Sequence, residues 1–223
     1  MRKGNRAPAA AAAVVTALLV AGPAPAAAEP LVLTALGDSL TQGYGLPQAD
    51  GFVPVLEGWL TARGHDVRVI NAGVSGDTTA GGAARIEWTL AEQPDAMIVA
   101  LGGNDLLRGV DPAASRANLD AILQATDAAG VPVLLAGLPA PGNYGPDFTR
   151  DFEGMYVDLA AEYDAILYPD FLGPIGEKAT QGLSLADLMQ DDRIHPNAEG
   201  VRQIVEAIGP EVEALLERAR ADS

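Results

Sequence analysis

The chain has no cysteine. Thiol nucleophiles, zinc–thiolate centres, disulfides and a lipid-bearing cysteine are therefore excluded, and the fold has to stand on its core alone. Histidine is nearly absent too, with two residues, so a general base with a pKa near neutrality has to be His65 or His195. Basic side chains are scarce: 14 Lys and Arg face 30 Asp and Glu, a formal charge of −16. A field of that sign repels phosphate backbones, and no nucleic-acid partner is expected. The acidic residues are spread without long blocks, so solubility or a salty habitat accounts for them and no specific partner is assigned. The Gly-x-Ser-x-Gly elbow is missing. No phosphate-binding motif follows the first strand candidate, which argues against a flavin carrier. No cofactor and no metal are expected.

The 223 residues, 48% of them hydrophobic, suit one domain with a buried core. The chain opens on Arg2, Lys3 and Arg6, continues with an apolar run to Gly22, and reaches the small residues Ala26-Ala27-Ala28 before Glu29. These are the three parts of a secretory signal peptide, and residues 1–28 are expected to be removed after Ala28. The rival reading is an uncleaved anchor. It needs roughly 20 apolar residues, and the run over 7–22 is shorter. No long apolar segment recurs, so the mature chain, 29–223, is expected to be one soluble domain in the periplasm or outside the cell, with no stable membrane span. Without Arg2, Lys3 and Arg6 the basic count falls to 11 against the same 30 acids, a formal −19.

From Leu31 onward, short apolar runs alternate with stretches of helical length, the pattern of βαβ units around a parallel sheet. Strands are predicted over 31–37, 67–72, 96–101, 131–138 and 165–168, and helices over 52–63, 79–92, 112–129, 148–163 and 196–218. The strand runs are continuously apolar, as strands covered on both faces require. The segments 41–51 and 173–193 have no regular period and are expected to wall a ligand cleft beyond the carboxyl ends of the strands.

Four short segments carry chemistry: Gly37-Asp38-Ser39-Leu40, Gly73-Val74-Ser75-Gly76, Gly102-Gly103-Asn104-Asp105 and Asp192-Arg193-Ile194-His195-Pro196. Ser39 directly follows the first strand on what reads as a tight turn, the place for a nucleophile. A helix cap would also suit it. Ser115 falls inside a helix, Ser184 in a late loop and Ser223 at the terminus, and Ser75 serves better through its backbone. His65 lies in a polar turn at the amino end of a strand, the wrong edge of the sheet, and is read as a surface residue. His195 precedes Pro196, and Asp192 stands three residues upstream, within reach of one ring nitrogen while the other faces Ser39. Asp191 is read as solvated. The Gly76 amide and the Asn104 side chain can supply oxyanion donors, although glycine and asparagine are also ordinary punctuation after strands. Each strand end delivering one component favours the catalytic reading, acyl transfer to water.

These blocks resemble the GDSL, or SGNH, hydrolases over essentially the whole mature chain. The extended forms, Ala35 through Gly45, Asn71 through Thr79 and Asp191 through Asn197, are most similar to the bacterial periplasmic arylesterase, thioesterase I and lysophospholipase L1 group. The resemblance implies a three-layer α/β/α flavodoxin-like fold with five parallel strands. It also implies Ser39 as nucleophile, His195 as base, Asp192 as its partner, and an oxyanion hole made by the Ser39 and Gly76 amides and the Asn104 side chain. An esterase acting on small acyl esters or thioesters follows; a monomer is expected, although the sequence itself does not reveal the oligomeric state. The rivals are a carbohydrate or peptidoglycan O-acetyl esterase or acetyltransferase on the same fold, and a non-catalytic binding protein. Leu46, Leu138, Tyr144, Ile175 and Leu183 are candidates for an acyl groove or for core.

Overall fold

A computed structural model describes residues 29–221, together with Met1 and Gly4. The expected signal peptide lies outside the described residues. Five strands form one parallel sheet: β1 (Leu31–Gly37), β2 (Val67–Gly73), β3 (Ala96–Ala100), β4 (Val133–Ala136) and β5 (Ile166–Tyr168), in the spatial order β2-β1-β3-β4-β5. The chain steps from β1 to β2 on one side and then crosses back to β3 on the other. Such a reversal opens a crevice between the carboxyl ends of β1 and β3.

Every residue of β3 is buried, yet a period of two survives in which face each side chain serves. Ala96, Ile98 and Ala100 join one core layer, Met97 and Val99 the other. The first layer is closed by α2 (Phe52–Ala62) and α10 (Ala198–Ala221), with Phe52, Leu56, Ile204 and Leu215 fully or nearly fully buried. The second is closed by α6 (Pro112–Ala128) and α7 (Pro146–Glu162) through Leu119, Ile122, Phe152 and Leu159. The result is the expected three-layer α/β/α architecture. Proline stands in the first turn of both α6 and α7, where its missing N–H costs nothing.

The remaining helices are short: α1 (Ser39–Gln42), α3 (Thr79–Ala84), α4 (Ile86–Leu90), α5 (Gly103–Arg108), α8 (Gly173–Thr180) and α9 (Leu185–Leu188). Three departures from the sequence reading have physical causes. The single helix expected over 79–92 breaks at Arg85, whose side chain turns back to Asp77 at 2.7 Å and the Gly37 carbonyl at 3.0 Å, and weak helix formers Gly81 and Gly82 precede the break. The segment 173–193, expected to be irregular, holds α8 and α9. Both are too short to show a period, although Ser184 and Asp187 form a capping box at the start of α9. The last helix begins at Ala198 instead of Pro196, because Asn197 accepts the Glu199 and Gly200 amides at 2.9 and 3.0 Å as its cap.

The register sets the site. Gly37 is paired with Gly73 on one side and with Ala100 on the other, so β1, β2 and β3 end flush. The residues that follow, Ser39, Gly76 and Asn104, emerge at one level of one edge.

Candidate active site

The turn that carries Ser39 is as tight as the backbone allows. A Cβ at Gly37 would run into the Thr41 side chain and stand 2.9 Å from the Ala100 carbonyl oxygen, and one at Gly73 would collide with the backbone of Gln42. Glycine at both strand ends lets the chain reverse at once into α1. Asp38 caps that helix through Oδ1, which accepts the Leu40 amide at 3.0 Å. Ser39 is therefore the first residue of a helix, where backbone N–H groups lack an intrahelical acceptor. Gly43, at φ 86°, ends the helix in the left-handed conformation and donates to the Ser39 carbonyl at 3.1 Å.

His195 Nε2 lies 2.8 Å from Ser39 Oγ, and Nδ1 lies 2.6 Å from Asp192 Oδ2. Asp192 Oδ1 accepts the Ile194 amide at 2.9 Å and the His195 amide at 3.0 Å, so one carboxylate holds both the ring and the loop that bears it. The bond to His195, followed by those two amides, holds the Asp192 carboxyl down to about 2. A carboxylate is acceptor only, which assigns the proton on Nδ1 and leaves Nε2 to accept from the serine hydroxyl. Asp191 is exposed. The loop is tied down by Gln190, whose amide donates to the His195 carbonyl at 2.8 Å. Its side-chain Nε2 donates to the carbonyls of Tyr44 at 2.8 Å and Pro196 at 2.9 Å. The Tyr44 ring packs against the imidazole with centroids 4.7 Å apart.

Opposite the histidine, Gly76 closes the turn after β2 with φ 84°, a conformation that suits glycine. Its carbonyl accepts from Arg108 at 2.8 Å, and its N–H has no partner among the described residues. Asn104 sits in the first turn of α5 and gives one of its two Nδ2 hydrogens to Asp38 Oδ2 at 3.1 Å, leaving the other for a ligand. Asp38 is 3% exposed, and burial raises its pKa against the lowering influence of the Leu40 amide, Asn104 and His195. The adjacent Asp105, 1% exposed, accepts the Thr79 amide at 2.8 Å, the Thr79 hydroxyl at 2.5 Å and the Ser115 hydroxyl at 2.9 Å. It pins α5 to α3 and α6.

Ser39, Gly76, Asn104 and His195 open onto a cleft of about 400 Å³ whose apolar wall includes Leu40, Leu106, Leu107, Leu138, Leu172 and Ile194. Of the apolar residues named from sequence, only Leu138 lines it. Ile175 is buried core, Leu46 packs half-buried against the core, and Leu183 is exposed. Tyr144 donates its hydroxyl to the Leu106 carbonyl at 2.6 Å and stacks on Phe148, supporting the wall from behind. A larger recess of about 590 Å³ lies far from this chemistry, among the ends of α6 and α10.

Residues 35–203 match the GDSL-like lipase/acylhydrolase family. The chain belongs to that family. It is an enzyme of the carboxylic ester hydrolase class. It is 41% identical to esterase TesA of Pseudomonas aeruginosa over 192 residues, covering 86% of this chain and 91% of the relative. It is 35% identical to thioesterase 1/protease 1/lysophospholipase L1 of Escherichia coli K12, covering 86% of each. Among solved structures, the SGNH-hydrolase family esterase AlinE4 superimposes with a TM-score of 0.69 at 44% identity, over 86% of this chain and 99% of that one.

Several contacts around this site could not be read from the sequence pattern. Asp38, Gln190 and Tyr44 act on Asn104 and His195 from neighbouring turns, and only the folded chain brings Gln190 to Tyr44 across 146 residues. Nothing in the sequence linked Asp105 to Thr79 or Ser115. His65 is a partial correction. It does lie at the amino end of β2, but its ring is half-buried and paired with Glu213 at 2.8 Å.

Proposed function

We propose that this family member hydrolyses carboxylic esters of small acyl substrates, among them aryl esters, lysophospholipids and acyl thioesters, through an acyl-enzyme on Ser39. The observation that carries the reading is the relay Ser39–His195–Asp192, at 2.8 and 2.6 Å, opening onto an apolar cleft. His195 Nε2 takes the serine proton as Oγ attacks the carbonyl carbon, and Asp192, already ionised, stabilises the imidazolium that forms. The Ser39 and Gly76 amides and the free Asn104 N–H receive the developing oxyanion. His195 returns the proton to the departing alcohol or thiol. Water then attacks the acyl-enzyme by the same steps.

An apolar wall favours an acyl chain over a sugar, which separates this reading from an O-acetyl esterase of polysaccharides. Residues 1–28 serve as a cleaved signal peptide, and 29–223 act as a monomeric hydrolase domain in the periplasm or beyond. Among the described residues no helix is long and apolar enough to cross a membrane. The test is hydrolysis of p-nitrophenyl esters from acetyl to long acyl by the chain lacking residues 1–28, beside Ser39→Ala. Turnover that disappears in the variant and peaks above acetyl is expected. Turnover retained by Ser39→Ala overturns the mechanism, and activity confined to acetylated polysaccharide moves the substrate to the rival class.

A further inference from the structure

One charged group in the cleft has no part in the relay or the oxyanion donors. Asp170 follows β5 and lines the same cleft as Ser39 and Asn104, beside Leu138, Pro139 and Leu172. Its Oδ1 accepts the Leu172 amide at 3.0 Å, a turn contact that leads into α8. No side chain donates to its carboxylate among the described residues. The other acid of the lining, Asp38, has both oxygens engaged, one by the Leu40 amide and one by Asn104. The lining contains no Lys or Arg. Asp170 is half-buried, and desolvation, ahead of the Leu172 and Gly173 amides that oppose it, raises its pKa. An ionised carboxylate in such surroundings gains from any cation that replaces the water it has lost.

We propose that Asp170 is a specificity-determining residue, selecting esters whose acyl or alcohol part carries a cationic group able to reach it across the cleft. This rests on the esterase reading of the same site. A trimethylammonium or alkylammonium group on a short arm has the required chemistry: its methylenes lie along the leucine wall while its charge meets the carboxylate. A carboxylate- or phosphate-bearing chain is repelled from the same place.

The test compares two isosteric pairs on the chain lacking residues 1–28. On the alcohol side, the choline ester of butyric acid is set against its tert-butylethyl carbon isostere. On the acyl side, the p-nitrophenyl ester of trimethylammonio-butyric acid is set against the ester in which carbon replaces nitrogen. In at least one pair, kcat/KM is expected to favour the cation by about fivefold at low salt, as a partly solvated charge contact allows. The pair that responds identifies which part of the substrate lies beside Asp170. Asp170→Asn keeps a carbonyl oxygen for the Leu172 amide, and it should bring that ratio close to one. Equal kcat/KM within both pairs, or a cation preference that persists in Asp170→Asn, overturns the inference while leaving the esterase reading standing. Turnover of the neutral esters by Ser39→Ala instead overturns the role of Ser39, and absence of turnover of every ester by the unmutated chain overturns the esterase reading itself.

Discussion

Asp38 and Asp192 each steer a group beside Ser39, and they do it in opposite surroundings. Asp192 has a side chain 37% exposed, holds His195 through local contacts, and is driven below the ordinary carboxylate range by the groups it binds. Asp38 is 3% exposed, holds Asn104 across 66 residues, and is pushed up by burial. The proposed acid–base side of the site is thus assembled by charge on a surface loop. The proposed oxyanion side is assembled by a buried polar network between helices. A loop held by charge is sensitive in turnover, and a network held by packing is sensitive in stability.

The largest effect that would sharpen this contrast is Asp192→Asn. The loop keeps an acceptor for its amides, but the imidazolium loses its counter-charge, and kcat on a p-nitrophenyl ester should fall by about 10³- to 10⁴-fold. The thermal midpoint should barely move; a collapse of Tm together with kcat would break the comparison. Next comes Asn104→Ala, where one oxyanion donor is removed and kcat should drop roughly 10²- to 10³-fold. Wild-type turnover in that variant would remove Asn104 from the oxyanion hole.

Asp105→Ala should reverse the pattern. It strands three buried donors from Thr79 and Ser115, and stability measured by urea unfolding should fall by about 2–3 kcal/mol. The kcat of the fraction that remains folded should change less than in either variant above. Unfolding that matches wild type would show that the network does not hold α5.

The smallest effect is in the pH dependence of stability, where the two aspartates have opposite signs. Asp192, lowered to about 2 from 3.8, contributes stability that is present above 3.8 and is lost as pH falls toward 2. Asp38 is raised from 3.8, so its contribution is present below 3.8 and is lost as pH rises through its folded value. Urea midpoints for Asp192→Asn and Asp38→Asn, followed from pH 2 to 6, should diverge from wild type in opposite directions with pH. Parallel curves would contradict the assignment of opposite environments.

Much of this arrangement was legible in the sequence because the central strand is pure. Ala96 through Ala100 announces itself as a buried run, Val67 through Gly73 mixes buried Val67 and Val69 with exposed Arg68 and Asn71, and components of the site stand just after both. What stayed hidden depends on side chains meeting across long separations. The break at Arg85 is fixed in part by a contact with the Gly37 carbonyl, 48 residues away, which the local signal of Gly81 and Gly82 does not encode. Leu138 and Ile175 have the same apolar character, yet one faces the cleft and the other the core. Helices α8 and α9 fall below the length at which a period is readable, and the cap at Asn197 was obscured by the proline before it.

The order in which the chain is made gives the 156 residues between Ser39 and His195 a meaning in time. At ordinary translation rates the proposed nucleophile emerges on the order of 10 s before its proposed base. Strands β2 to β5 are laid down within that interval, while Ser39 still lacks the partner proposed to take its proton. Gln190, which locks the late loop onto the Tyr44 carbonyl, is made only five residues before His195 and completes the site in the same step. On the proposed mechanism the nascent chain is therefore silent until the loop carrying Gln190 and His195 has been made.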